Sequence, residues 1–337
     1  MNDDQTGRVA RALWLAVAMC GVALAGPARA QGDGYNGIGG TVVRFATVAQ
    51  GRAVLGADDE WVAATSDFQR AATMGVTPPV TRARFLAFTV DTVRPWSAPQ
   101  EARWRKALDE IAPKFAALRV PLPAEVWLVN TDGRDAANAP YTRANAVILP
   151  MSTLQGGAGD MPSDAFLMAH ELFHVVSRHS PALATKLYAA IGYEPVAPLQ
   201  WPAAWLPARI ANPDAPHDRH AMRVSIAGRS AQVMPMLMAS RTDLKPGESF
   251  FSVMDVRLLE VTTSASGPTL PVLRDGQPVW HAPGAVPDFM KNLGGNTGYI
   301  IHPEETMADN FAVLASGRTA RNPALLKRIE ELLLEPR

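Results

Sequence analysis

Cysteine is nearly missing from this chain: Cys20 is the only one among 337 residues. One thiol close to the N-terminus makes no internal disulfide and no cysteine-built metal cluster. A surplus of charge is missing too, with 32 Lys and Arg against 32 Asp and Glu. Without a basic excess there is no broad cationic surface, so nucleic acid is not an expected partner. Charged residues make up only 19% of the chain and hydrophobic ones 47%. That balance excludes a disordered polyelectrolyte and leaves enough apolar material for a full core. Internal repeats and heptads are absent, and low complexity is confined to one glycine-rich stretch, Gly32 to Gly40. Proline is not scarce: 28 of them point to many irregular connections.

The first thirty residues read as an export signal. Arg8 and Arg11 precede an apolar run from Ala12 to Ala25, and Ala28-Arg29-Ala30 puts small residues where a signal peptidase cuts. The run falls short of the roughly 20 residues a membrane span needs. A membrane anchor, or lipid attachment through Cys20, is the alternative; Met19 is too bulky for the usual attachment box. Cleavage after Ala30 would leave 307 residues (337 − 30) without a cysteine, and so without a thiol nucleophile. The expected protein is therefore exported, periplasmic or secreted, with no stable membrane span after cleavage. Residues 31–52 read as a flexible segment, since five glycines fall among the nine residues from Gly32 to Gly40.

Residues 53–337 read as one domain in two parts, 53–162 and 163–337. Short helices are expected from Ala53 to Met74, and a strand from Phe85 to Val90. Trp104, Leu108, Ile111 and Phe115 recur at helical spacing within Ala98 to Leu118. Strands are expected at Glu125 to Asn130 and Asn145 to Leu149, with the Asp132-Gly133 turn signal between them. A glycine-rich loop, Gln155 to Asp160, leads to a helix near Ser163. Glu194 to Pro216, with six prolines in 23 residues, reads as an irregular excursion. Hairpins are expected from Met222 to Met238 and Phe250 to Thr263. Helices should begin at Pro303 and after Asn322-Pro323.

The helix after Ser163 carries the chemistry. From Ala165 to Val176 it is apolar on every side except at His170, Glu171 and His174. Burying three such groups is costly unless each finds a partner. A spacing of four turns His170 and His174 to one face, where both imidazoles can meet one small ion, with Glu171 beside them. A chance His-Glu-x-x-His match is expected in roughly one sequence of two hundred. The bland alternative is two core histidines and a buried glutamate satisfied among themselves.

A catalytic zinc wants three protein ligands and an open position. Ser177 and Ser180 occupy the places where a third histidine pattern would continue, and His179 is turned away on the helix. The better source is His302-Pro303-Glu304-Glu305-Thr306-Met307-Ala308-Asp309-Asn310-Phe311. Here Glu305, Ala308, Asp309 and Ala312 share one stripe, whose small residues permit close approach to another helix. Glu305 is the candidate third ligand, and Asp309 could orient a ligand imidazole through its other nitrogen. Glu304 is a secondary ligand candidate, with His217 and His220 in reserve. An amphipathic surface helix with acids in its first turn would need no metal.

A His-Glu-x-x-His helix with a later Glu-x-x-x-Asp helix resembles the gluzincin branch of zincin-type zinc metallopeptidases. The resemblance covers roughly thirty residues and departs in the gap of 131 residues (305 − 174) between His174 and Glu305. It implies an α+β, zincin-like fold: a small mixed sheet on a buried active-site helix, then a helical and hairpin-bearing C-terminal half. It also implies one Zn²⁺ on His170, His174 and Glu305, with Glu171 as general base in peptide-bond hydrolysis. A peptide or protein substrate follows. Tyr299 and His302 are candidate oxyanion donors, with Tyr141 and His281 as further possibilities. Asn145 to Leu149 could be the edge strand that pairs with an extended substrate, or an internal one. A zincin-fold binding or envelope-maintenance protein without turnover, or a non-peptidase zinc hydrolase, would use the same residues. The stripe Leu325, Leu326, Ile329, Leu332 and Leu333 suits packing against the domain or docking of a partner.

Overall fold

Residues 34–151, 163–245, 248, 250–263 and 267–336 are described by the computed structural model. The expected signal segment and the Gln155 to Asp160 loop lie outside them. The described chain starts as a hairpin: β1 (Tyr35–Ile38) and β2 (Thr41–Phe45) turn at Gly39 and Gly40, with φ of 50° and 92°. Two successive positive φ values make the tight turn whose twist suits paired strands, and glycine adopts them without strain. Gly39 and Gly40, expected to belong to a flexible segment, therefore build a turn instead.

Short helices α1 (Val48–Leu55), α2 (Glu60–Ala64) and α3 (Asp67–Met74) follow, capped by Thr47, Asp59 and Ser66. The strand expected at Phe85 to Val90 is helix α4 (Arg82–Asp91). Thr81 caps it by accepting from the Arg84 amide, and Phe85 and Thr89 bury one face four residues apart. A short β-branched and aromatic run does not distinguish strand from helix by period alone; the cap decides here. Helix α5 (Ala98–Ala117) forms where its periodicity lies, with Ser97 and Gln100 making the capping box.

The first sheet takes the order β1, β2, β3 (Glu125–Thr131), β5 (Ala146–Pro150), β4 (Tyr141–Arg143). β2, β3 and β5 run parallel, whereas β1 and β4 are antiparallel edges. β5, all five residues buried, is thus internal, and the edge is β4. Helix α6 (Asp164–His179), capped by Ser163, packs against β4, β5 and α5. Arg103 on α5 grips Asp164 with two charge-assisted bonds of 2.5 and 2.6 Å.

Helix α7 (Pro181–Ala189) leads to a second, antiparallel sheet: β6 (Tyr193–Pro195), β7 (His220–Ile226), β8 (Arg229–Ala239), β9 (Met254–Thr262) and β10 (Leu270–Pro271). Between β6 and β7 the proline-rich excursion is irregular apart from one short 3₁₀ stretch at Ala203–Ala208. After α8 (Pro287–Asn292), helix α9 (Pro303–Ala315) lies along α6. Ala308 and Ala312, both fully buried, let the two helices approach. Phe311 meets Phe115 of α5 and Phe173 of α6 at ring distances of 5.3 and 5.4 Å. Helix α10 (Pro323–Leu334) buries Leu325, Ile329, Leu332 and Leu333 in the same core, so its stripe packs inward. The architecture is α+β, and no helix of the described residues is long and apolar enough to cross a membrane.

Candidate metal centre

One turn of α6 and the first two turns of α9 face each other across the site. His170 and His174 present their rings edge to face, with centroids 4.8 Å apart. Both Nε2 atoms converge on one oxygen of Glu305, at 3.2 Å from His170 and 3.6 Å from His174. Each Nδ1 is held from behind by a different carboxylate: His170 by Asp309 at 2.8 Å and His174 by Glu304 at 2.7 Å. The carboxylates behind the rings are themselves supported. Thr297 donates to Asp309, while Ser177 and Tyr188 donate to Glu304. Such backing fixes the orientation of each ring, so that both Nε2 atoms are directed at the common point.

His170, His174 and Glu305 could therefore hold a metal ion: their ligand atoms lie within 4.8 Å of one another, all buried. The donor set of two imidazoles and a carboxylate fits zinc and other divalent transition ions equally. Burial works against charge on the His174 ring, but the carboxylates Asp214, Glu305 and Glu304 prevail and hold its pKa up at about 9. Burial likewise opposes charge on Glu305, and the imidazoles overcome it, keeping that carboxyl below its ordinary range. A pocket with this many convergent carboxylates could hold a cation.

Glu171 stands beside the pair on the cleft side. Burial, then the nearby Asp214 carboxylate, push its carboxyl well above the ordinary range. Its Oε2 makes no hydrogen bond although the residue is 3% exposed. The cleft has a volume of about 520 Å³ and is lined by His170, Glu171, Asp214, Tyr299, Glu305 and Asp309, among others. The Tyr299 ring stacks on His170 at 6.1 Å, and the Glu305 charge followed by burial pushes its hydroxyl pKa up.

His302, the other candidate donor, does not line this cleft. Its Nδ1 caps α9 by accepting from the Glu304 amide at 3.1 Å, and it borders a separate small cavity with Trp201 and Arg209. Nor do the reserve histidines approach the ion site. His217 pairs with Glu60 at 2.5 Å, and His220 lies in β7 against the Tyr188 ring. His281 sits by Glu260, and the Tyr141 hydroxyl donates to Asp135.

Two site residues, Asn212 and Asp214, carried no signal in the sequence. Both come from the irregular excursion, where no periodicity aims a side chain. Asn212 donates to the second oxygen of Glu305 at 2.5 Å. Asp214, its side chain 8% exposed, lies within 4.8 Å of Glu171 and His174. Its Oδ1 accepts from the Thr142 amide at 2.7 Å and the Thr142 hydroxyl at 2.5 Å. The outward amide of the edge strand is thus already paired. No family model, curated protein or solved structure matches this chain.

Proposed function

We propose that the chain is an exported zinc-dependent hydrolase of peptide bonds, with zincin-like architecture of the gluzincin type. One observation carries the reading. Two imidazoles and Glu305 converge on one point, each ring backed by its own carboxylate, with the unpartnered Glu171 oxygen alongside. A buried histidine pair satisfied for structural reasons needs no such unpartnered carboxyl in the wall of a cleft. A zinc ion bound there would supply Lewis acidity and a lowered water pKa.

The chain's own groups do the rest. Glu171, as the carboxylate that a bound cation would favour against the burial that raises its pKa, accepts the proton of the attacking water and returns it to the leaving amine. Tyr299, exposed at the rim and stacked on His170, donates a hydrogen bond to the developing oxyanion. An extended peptide pairing with β4 would have to displace Asp214 from the Thr142 amide. Residues 1–30 support export by their pattern alone.

The test is elemental analysis of residues 31–337 with the His170→Ala, Glu305→Ala and Glu171→Gln variants. One zinc per chain is expected, lost in the first two and retained in the third. Peptide hydrolysis by Glu171→Gln should fall at least about a hundredfold. Full activity in that variant would end the role given to Glu171. A second reading, a zincin-fold protein without turnover, draws on the approach of Asp214 to the pair Glu171 and His174. There Asp214 would close the fourth position, and Asp214→Ala would lose zinc; under the hydrolase reading zinc is kept.

A further inference from the structure

The two oxygens of Glu305 are differently employed. Oε2 faces the ring nitrogens of His170 and His174, at 3.2 and 3.6 Å, whereas Oε1 accepts from the Asn212 amide at 2.5 Å. The other bond of the Asn212 side chain settles which end points at Glu305. Its Oδ1 accepts from the Asp214 backbone amide at 3.0 Å, so Nδ2 is the end left to donate. The residue before Asn212 is anchored on both sides of its backbone. The Ala211 amide donates to the Gln69 side chain of α3 at 2.9 Å, and the Ala211 carbonyl accepts from the same side chain at 2.8 Å. That carbonyl also accepts from the Trp61 indole of α2 at 3.0 Å, and all three residues are buried. An asparagine in an irregular segment is thus pinned next to a buried anchor, with its donor aimed at the outer oxygen of the candidate third ligand.

We propose that Asn212 is a positioning residue that reserves Oε1 of Glu305 for the protein, so that the carboxylate offers an ion Oε2 alone. The inference rests on the metal-centre reading and deepens it, because it concerns how that ion would be held. A carboxylate can bind a cation through one oxygen or through both. Through both, Glu305 and the two imidazoles would supply four donor atoms and crowd the place that a catalytic ion keeps for water. Turning Oε1 toward an ion would break a charge-assisted bond to a donor whose neighbour is anchored and does not follow. Glu304 and Asp309 act on the imidazoles from behind, whereas Asn212 acts on the third ligand.

Cobalt(II), which takes the place of zinc in such donor sets and reports its ligand number in visible absorption, tests this on the full chain without any turnover. Wild type should bind one cobalt per chain with the strong bands of a four-coordinate ion. Two variants remove the donor: Asn212→Ala, and Asn212→Leu, which keeps the outline of asparagine. Each should still bind one cobalt, with absorptivity lowered at least about twofold as the freed Oε1 adds a ligand. A cobalt-loaded variant with the wild-type spectrum would overturn the proposal. Less cobalt bound at an unchanged spectrum would overturn it too, as the mark of a residue that merely supports the fold. Should neither variant fold, a crystal structure of the zinc-loaded wild type decides: Oε1 is expected on Asn212 Nδ2, and Oε1 on the ion would end the proposal. No cobalt and no zinc bound by wild type would instead remove the metal-centre reading and, with it, this role of Asn212.

Discussion

At the residue scale, the division of labour between Glu304 and Glu305 is the instructive case. Adjacent in sequence, they approach opposite nitrogens of His174: Glu304 binds Nδ1 and Glu305 faces Nε2. Glu304→Gln and Asp309→Asn should each keep the zinc stoichiometry at saturating metal but weaken affinity about 10–100-fold. Competition against a chromophoric chelator would read this, and unaltered affinity would show the imidazoles need no backing. Asp135 poses a different residue-level question. Its folded pKa is raised above the ordinary 3.8 by burial. The unfolded chain therefore releases that proton first, and stability falls as pH rises from the ordinary carboxyl range through the folded pKa. Asp135→Asn removes the loss, so its Tm should exceed wild type at pH 7 and match it near pH 3. Scanning calorimetry at both values checks the sign.

At the element scale, the site depends on how α5, α6 and α9 are clamped together. Arg103 and Asp164 join the first turn of α6 to α5 through a bidentate pair, and Asp164 also suits the positive end of that helix. The pair is about one-third exposed, which limits what it contributes. Arg103→Ala should cost about 1 kcal/mol in urea unfolding and leave zinc content unchanged. A larger loss, or loss of metal, would mean that the clamp aims α6 as well as anchoring it. At the opposite end of α6, Arg178 donates to the Ala144 carbonyl and the Thr142 hydroxyl, tying the helix to the edge strand. One helix is thereby held to both its supports by arginines, while its apolar faces do the burying.

At the scale of the whole molecule, the core between α5, α6 and α9 is also the scaffold of the candidate metal centre. Phe311 is fully buried where the three helices meet, two residues beyond Asp309. Phe311→Ala should cost about 3–5 kcal/mol through the cavity it leaves. Because α9 carries Glu304, Glu305 and Asp309 together, zinc affinity should fall in the same variant. Thermal unfolding measured with and without zinc would reveal the coupling as a smaller metal-induced rise in Tm than wild type shows. An equal rise would mean the first turns of α9 hold their place without the aromatic junction.

What the sequence determined by itself is local. Apart from Phe250 to Thr263, which is a 3₁₀ turn and the single strand β9 rather than the expected hairpin, the four-residue spacing of His170 and His174, the capped apolar helix around them, the α5 periodicity and the Met222 to Met238 hairpin all follow from neighbours along the chain. Those signals are short-range, and the folded chain keeps them. The Glu305 helix was legible for the same reason, although its approach to α6 was only an expectation. Tertiary structure alone decided the rest. Gly39 and Gly40 became a turn because β1 pairs with β2, which itself found β3; the helix at Phe85, by contrast, was set locally by the Thr81 cap. Asn212 and Asp214 reach the site from an irregular segment with no period to read. Glu304 changed from spare ligand to support because α9 packs on α6 in one rotation, fixed by Ala308, Ala312 and Phe311. Spacing within an element sets which side chains share a face, whereas only the packing of distant elements sets which faces meet.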